Sequence, residues 1–278
     1  QYQQASSRLI TTQVNIFGNY REWSTATPDL NVIDSRTIGE LNVTFSRQRK
    51  LPKNFGWNYG LGPTLRNQYF IIDTFNVNAN PLNLNGTGIS SLGALINTNV
   101  NDGAQTGNVV LQSLTSVGVG AAKSLALSTG VVSGNFALKI NAGVGQTGTV
   151  LLSGSNTFSA GMTVYAGTVE LGASSVGATS SGPLGVSTVS IENGATLNLA
   201  GYSLSNDLNL KGFGKDNLGT LVNSNPSSSS AVVGPVALGS SSAIGGSGTL
   251  IFTRAVDTNG YGLVFEGIGS FELTNASN

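Results

Sequence analysis

Apolar and polar residues alternate in short runs along this chain, and no run lengthens into a helical period. Residues 149–153 (TVLLS), 162–166 (MTVYA) and 168–171 (TVEL) are each bounded by Gly, Ser or Asn. Period-two runs between turn residues predict strands. Val189 and Ile191, Leu197 and Leu199, and Leu208 and Leu210 form further apolar pairs around a polar partner. A one-residue slip would turn every such pair outward, so the pairs fix the strand register. Asn193 and Gly194 mark a tight turn between two of them. In the first eighty residues, 13–17 (QVNIF), 31–33, 40–45 (ELNVTF) and 69–75 (YFIIDTF) read as strands, and 46–59 reads as a loop. The fold class predicted is all-β.

The body of the chain repeats itself at long range. Residues 82–99 (LNLNGTGISSLGALINTN) and 208–225 (LNLKGFGKDNLGTLVNSN) match at an offset of 126 residues. The match continues loosely from Val109 and Val110 to Val232 and Val233, and from 148–156 to 269–278. One unit is therefore expected over 82–207 and a second from Leu208 on, a signature of stacked architectures. The polar positions between apolar ones are mostly Thr, Ser and Asn. These tolerate like neighbours on strands about 4.8 Å apart, where like charges would repel. Asn83, Asn97, Asn209 and Asn223 are expected to stack as amide ladders. At about 20 residues per coil, the residues from 81 to 278 would make roughly ten coils and a rod near 50 Å long.

Gly148, Thr149, Leu152, Ser153, Gly154, Asn156, Thr157, Phe158, Gly161, Thr163, Val164, Ala166, Gly167, Thr168, Leu171 and Gly172 carry a family resemblance. In these residues the stretch resembles the passenger-associated repeat of bacterial autotransporters. Residues 182–210 also resemble linking sequence of such passengers. The resemblance covers roughly two thirds of the chain. It implies a right-handed parallel β-helix exported to the cell surface, and a Thr, an aromatic and a Gly-Thr strand following Asn278. The first eighty residues carry no such resemblance. The expected architecture is a β-solenoid over 81–278, preceded by a β-rich N-terminal cap region over 1–80.

Composition sharpens that division. Residues 1–80 hold 11 of the 20 aromatics, with 8 basic residues against 5 acidic, whereas 33 of the 38 glycines lie beyond them. A solenoid end exposes core and strand edges and needs cover. A small aromatic core in an N-terminal cap would supply it. The sharper reading makes Trp57 and Tyr59, with Arg47, Arg49, Lys50 and Lys53, an interaction surface for a glycan or protein. Gln13, Val14, Asn15, Ile16 and Phe17 form a candidate assembly strand that could join a neighbour's sheet.

Only 9% of the residues are charged and the net charge is zero, against the basic balance of a nucleic-acid binder. No run approaches 18 apolar residues, the length of a membrane-spanning helix. The opening QYQQASSRLI lacks a signal-peptide pattern, so Gln1 reads as a mature end or an internal boundary. Cys and His are both absent, which removes disulfides, the commonest general base and the commonest metal ligand. Gly143 to Gly148 (GVGQTG) match a nucleotide fingerprint, but a strand and not a helix is expected next. Gly245 to Gly248 lack the Asp of a calcium-binding nonapeptide, and Asp207, Asp216 and Asp257 have no ligand spacing. Glu170 and Glu192 are the nearest approach to a glycosidase pair and read as outward-facing solubility residues.

No catalytic residue, cofactor or metal is expected. The reading is a non-enzymatic bacterial cell-surface or extracellular β-helix serving as adhesin, stalk or matrix structure. Its partners would be a host or matrix glycan or protein. One alternative is a self-assembling filament whose partner is itself, and another is a polysaccharide-binding or polysaccharide-degrading β-helix.

Overall fold

The structure, a computed structural model, describes residues 9–16, 19–24, 42–50, 56–60, 70–71, 76–77, 81–98, 101–175 and 181–274, with side chains from residue 81 on. Contacts divide the chain into two compact units, Gln1–Gln68 and Tyr69–Asn278.

The first unit is an antiparallel sheet. Leu9–Ile16 pairs with Asn19–Ser24 on one side and with Asn42–Lys50 on the other, and Gly56–Gly60 pairs with the far edge of Asn42–Lys50. The strands expected at 13–17 and 40–45 fall largely within it, while 31–33 lies outside the described residues. The stretch 46–59 is not a continuous loop. Its ends are facing strands, with Arg47 opposite Tyr59 and Arg49 opposite Trp57. Trp57 and Tyr59 alternate with Asn58, and aromatics favour strands. The neighbouring cations masked that short alternation.

The second unit is a parallel β-solenoid of about eight turns. One face stacks Phe70–Ile71, Leu95–Asn97, Thr115–Val119, Leu138–Ile140, Met162–Val164, Val189–Ile191, Leu208–Gly212, the start of Val236–Gly246, and Val256–Asp257. A second stacks Asn76–Val77, Gly103–Gln105, Ser124–Leu127, Thr149–Leu152, Gly167–Leu171, Ala195–Asn198, Leu221–Asn223, the end of Val236–Gly246, and Leu263–Phe265. A third begins with Leu82–Leu84, Val109–Leu111 and Val132–Ser133 and ends with Ser229–Val232, Thr249–Phe252 and Phe271–Leu273. Between them it thins to scattered bonds: Thr157 N–H to Val132 O at 2.9 Å, Ser159 N–H to Gly134 O at 3.1 Å, and Val186 N–H to Phe158 O at 3.1 Å. A bridge from Leu204 to Val232 follows.

The ladder reaches back to Phe70, so the solenoid begins ahead of the composition change near residue 80. Coil length varies. Val150 pairs with Val169, 19 residues on, and Leu208 with Val236, 28 residues on. Corner loops of unequal length, not the strands, account for the difference. Eight coils therefore replace the expected ten.

Inward positions form continuous apolar columns. Leu138, Met162, Val189, Leu208 and Val236 stack in register, as do Ile140, Val164, Ile191, Leu210 and Leu238, and all are buried. Each such side chain contributes about 1.5–3 kcal/mol. Between the two columns, outward residues run Lys139, Thr163, Ser190, Asn209 and Ala237. No two like charges adjoin there, as the sparse charge predicts.

The long repeat is structural, with a turn the sequence conceals. Leu82–Leu84 lies on the third face, whereas its counterpart Leu208–Gly212 lies on the first. Leu95–Asn97 lies on the first, and its counterpart Leu221–Asn223 on the second. The second copy is thus advanced by one face. Its local bonds survive the rotation. Gly86 N–H donates to Ser113 Oγ at 2.7 Å, and Gly212 N–H to Ser240 Oγ at 3.0 Å. Thr115 Oγ1 donates to Ser113 O at 2.9 Å, and Ser242 Oγ to Ser240 O at 2.9 Å. Each copy also carries one short 3₁₀ turn, Ile89–Ser91 and Lys215–Asn217. By this rule Val109 corresponds to Val236, not to Val232 as the sequence alone suggested.

The expected amide ladders do not form. Asn83 is exposed and Asn209 half-buried, while Asn97 and Asn223 are fully buried and bond backbone rather than each other. Asn97 Nδ2 donates to Asn101 O at 3.1 Å and Ser124 O at 2.7 Å. Asn223 Nδ2 donates to Ser228 O at 2.8 Å and Thr249 O at 2.9 Å. Each amide ties its own corner to a strand of the solenoid, which satisfies carbonyls that the turn leaves open. Asn141 does the same at another corner, and Asn156 bridges its two neighbouring turns, accepting from Val132 N–H at 2.7 Å and donating to Pro183 O at 2.6 Å.

Candidate functional site

The described residues line a partly open polar concavity of about 190 Å³ where the third face thins. The corner 204–207 and the loop 182–188 frame it. Asn206 locks the two together: its Nδ2 donates to Gly185 O at 3.1 Å and to Ser187 O at 2.8 Å. Gly185 sits where a Cβ would come within 2.6 Å of Phe158 O, so the loop can lie this close to the core only as glycine. Val189 N–H donates to Asp207 O at 2.9 Å and ties the rim to the first face.

Hydroxyls and one carboxylate line this cavity: Ser175, Ser187, Thr188, Ser205 and Asp207. Among the described residues Ser175 Oγ is buried without a hydrogen-bond partner, and the Asp207 residue is exposed at the rim. Such a lining accepts and donates hydrogen bonds to a hydroxylated molecule. Among the described residues no group of three or more acids is placed to hold a metal ion.

A second polar surface lies on the first face. Lys139 Nζ stands 5.5 Å from the centroid of the Tyr165 ring. One coil further on, Lys211 Nζ bonds Glu192 Oε1 at 2.8 Å. About a third of each side chain in this pair is exposed, 34% and 31%, so its contribution is about 1 kcal/mol or less. Glu192→Gln should therefore leave thermal stability nearly unchanged in a melting measurement. A loss of several kcal/mol would show that the pair is structural.

Glu170 does not meet Glu192 across a cleft. It lies outward between buried Val169 and Leu171 on the second face and accepts a bond from Asn198 Nδ2 at 2.9 Å. Glu192 follows the first face and is engaged by Lys211. Gly143 to Gly148 precede the strand Thr149–Leu152, as expected, and form a turn braced by Gln146. Its Oε1 accepts from Gly143 N–H at 3.0 Å and its Nε2 donates to Leu92 O. Gly245 and Gly248 sit where a Cβ would strike Leu218 O at 2.4 Å and Asn225 O at 2.1 Å. Close approach of neighbouring coils accounts for both glycines.

In the first unit, Arg47, Arg49 and Lys50 lie in Asn42–Lys50, and Trp57 and Tyr59 in the strand beside it. Lys53 lies outside the described residues. Gln13, Val14, Asn15 and Ile16 belong to Leu9–Ile16, which is paired on both sides, and Phe17 is outside the described residues. Donation of that strand to a neighbour would require it to leave its own sheet.

Sequence reasoning missed the cavity. Ser175, Ser187 and Asp207 come from different corners with no motif spacing. The one available signal was the density of Ser and Thr around residues 174–188. No family model matches the chain, and comparison with curated proteins and with solved structures likewise finds no match.

Proposed function

We propose that this chain is a non-enzymatic structural β-helix, a stalk, adhesin or matrix element of the bacterial autotransporter-passenger type. It would work at the cell surface or outside the cell. The parallel ladders that run unbroken along two faces carry this reading. Their eight steps, about 4.8 Å each, make a rod of about 38 Å held by apolar columns and corner amides. Such a ladder needs no disulfide and bears few charges, a combination suited to spacing or display. The resemblance around residues 148–172 supports the surface assignment.

Electron microscopy and small-angle scattering across a concentration series test it. Isolated particles of fixed axial extent support a stalk. Filaments with a regular axial repeat would make assembly the function instead. Release of sugar from a polysaccharide panel would overturn the non-enzymatic part.

A second reading, polysaccharide binding, is favoured by the hydroxyl-lined cavity. It predicts that Asp207→Asn weakens glycan binding at least severalfold while the melting temperature holds. Equal binding by the variant would remove the cavity from consideration.

A further inference from the structure

A corner of the solenoid, after Leu82–Leu84, holds the parts of a reaction that needs no enzyme. We propose that Asn85 and Gly86 form a self-modifying site. The Gly86 backbone nitrogen attacks the Asn85 side-chain amide, and the Ser113 hydroxyl of the next coil carries the proton between them.

The geometry is a relay through one hydroxyl. Gly86 N–H donates to Ser113 Oγ at 2.7 Å, and Ser113 Oγ donates in turn to Asn85 Oδ1. The hydroxyl's other acceptor, Leu114 O, is 3.4 Å away and makes the weaker contact. A serine hydroxyl accepts and donates at once, so Ser113 touches the nucleophile and the electrophile together. Asn85 is exposed and Ser113 is half-buried, so water reaches the corner. No other group lies within 4 Å of the position a Cβ on Gly86 would take, which leaves the backbone free to close on the side chain.

The steps balance. A bond forms between Gly86 N and Asn85 Cγ while the N–H proton passes to Ser113 Oγ and the hydroxyl proton passes to Asn85 Oδ1, so Ser113 is restored. The tetrahedral carbon then expels Nδ2. That nitrogen takes the proton of the new hydroxyl and leaves as ammonia, and a five-membered succinimide remains. Water opens the ring at either carbonyl and gives aspartate or isoaspartate at position 85. Each event adds one negative charge to residues 81–98, a stretch with no charged side chain.

The chain supplies its own controls. Asn is followed by Gly three times, at Asn85, Asn193 and Asn259. Asn259 Nδ2 donates to Leu238 O at 2.9 Å, which pins that amide to the neighbouring coil. Asn193 Oδ1 packs against Gly212, where a Cβ would come within 2.0 Å of it. Among the described residues no hydroxyl joins either amide to the N–H that follows it. The rotated copy keeps the other half of the relay. Gly212 N–H donates to Ser240 Oγ at 3.0 Å, but Lys211 stands where Asn85 would, so the hydroxyl there has no amide to activate.

The test ages the full 278-residue chain at neutral pH, folded and in urea, and follows aspartate and isoaspartate at the three sites by peptide mapping. In urea the three pairs share the same local chemistry and should react at similar rates. In the folded chain Asn85 should outpace Asn193 and Asn259 about tenfold or more, below the hundredfold or more of a positioned acid–base group because water can also carry the proton. Ser113→Ala should slow Asn85 about tenfold and leave the other two sites unmoved, and Ser113→Thr should restore the rate. Melting curves show whether a variant has loosened the fold. Asn85 reacting no faster than the other two sites in the folded chain would overturn the proposal. So would an unchanged or faster rate in Ser113→Ala at an unchanged melting temperature, because the hydroxyl would then guard the amide. Should alanine lower the melting temperature, the comparison of the three sites in the unaltered chain decides alone.

Discussion

Asn141→Ala is expected to destabilise the solenoid by about 4 kcal/mol, more than most surface-corner changes. The side chain is 1% exposed and makes three bonds. Its Oδ1 accepts from Val119 N–H at 2.8 Å, and its Nδ2 donates to Gly148 O at 3.0 Å and Ala166 O at 3.0 Å. Alanine removes all three: Val119 N–H and Ala166 O, in the turns on either side, lose this partner at about 1–3 kcal/mol each where water is excluded, while Gly148 O keeps the Thr168 N–H at 3.1 Å. The residue also has φ 53°, a left-handed conformation that Asn adopts more readily than Ala, for which it costs about 1–2 kcal/mol. Asn141→Gly separates the two effects, because glycine relieves the backbone but restores no bond. It should fall about 1 kcal/mol short of the alanine loss. Denaturant unfolding gives the totals. Amide exchange at Val119 gives the local loss, which matters because stacked coils can open separately. An alanine variant within about 1 kcal/mol of the parent would mean that water replaces the amide.

That role was only half legible in the sequence. Asn residues stood out at repeat positions, but spacing suggested amide stacked on amide. The corners need something else. A turn between parallel strands leaves carbonyls unpaired, and a primary amide with two donors can reach one in its own turn and one in the adjoining strand. Asn97 and Asn223 follow that rule, and the alternation that placed their strands says nothing of it. The apolar columns were readable because inward pairs such as Val189 and Ile191 obey period two wherever they fall. Coil length was not, because insertions at corners lengthen a coil without touching its strands. The rotation of the repeat was hidden for the same reason: an offset counts residues, not faces. The cavity was hidden because its hydroxyls come from separate corners. In the first unit, charge obscured the strand pairing of Arg47 with Tyr59.

Gly88→Ala and Gly214→Ala should each cost about 3 kcal/mol or more, and by similar amounts, although the two glycines stand at different corners of the cross-section. Gly88 has φ 71° and ψ −179°, and Gly214 has φ 81° and ψ 178°. This backbone region is essentially closed to residues with a Cβ. A Cβ at Gly88 would lie 2.0 Å from Gly93 O, and one at Gly214 would lie 2.0 Å from Gly219 O. The obstructing atoms are backbone of the same corner, held by Gly93 N–H to Thr87 O at 2.8 Å and Gly219 N–H to Phe213 O at 2.9 Å, so no side chain can yield. Gly86 provides the control. It has φ 82° but open space around a Cβ, so Gly86→Ala should cost only the conformational term of about 1–2 kcal/mol. Urea unfolding of the three variants decides the matter. Similar large losses at Gly88 and Gly214 would mean that the corner carries its own constraint and is interchangeable among the faces. A large loss at one and a small loss at the other would mean that the face, and not the motif, fixes the turn, and the correspondence between the two copies would then hold in sequence but not in energy.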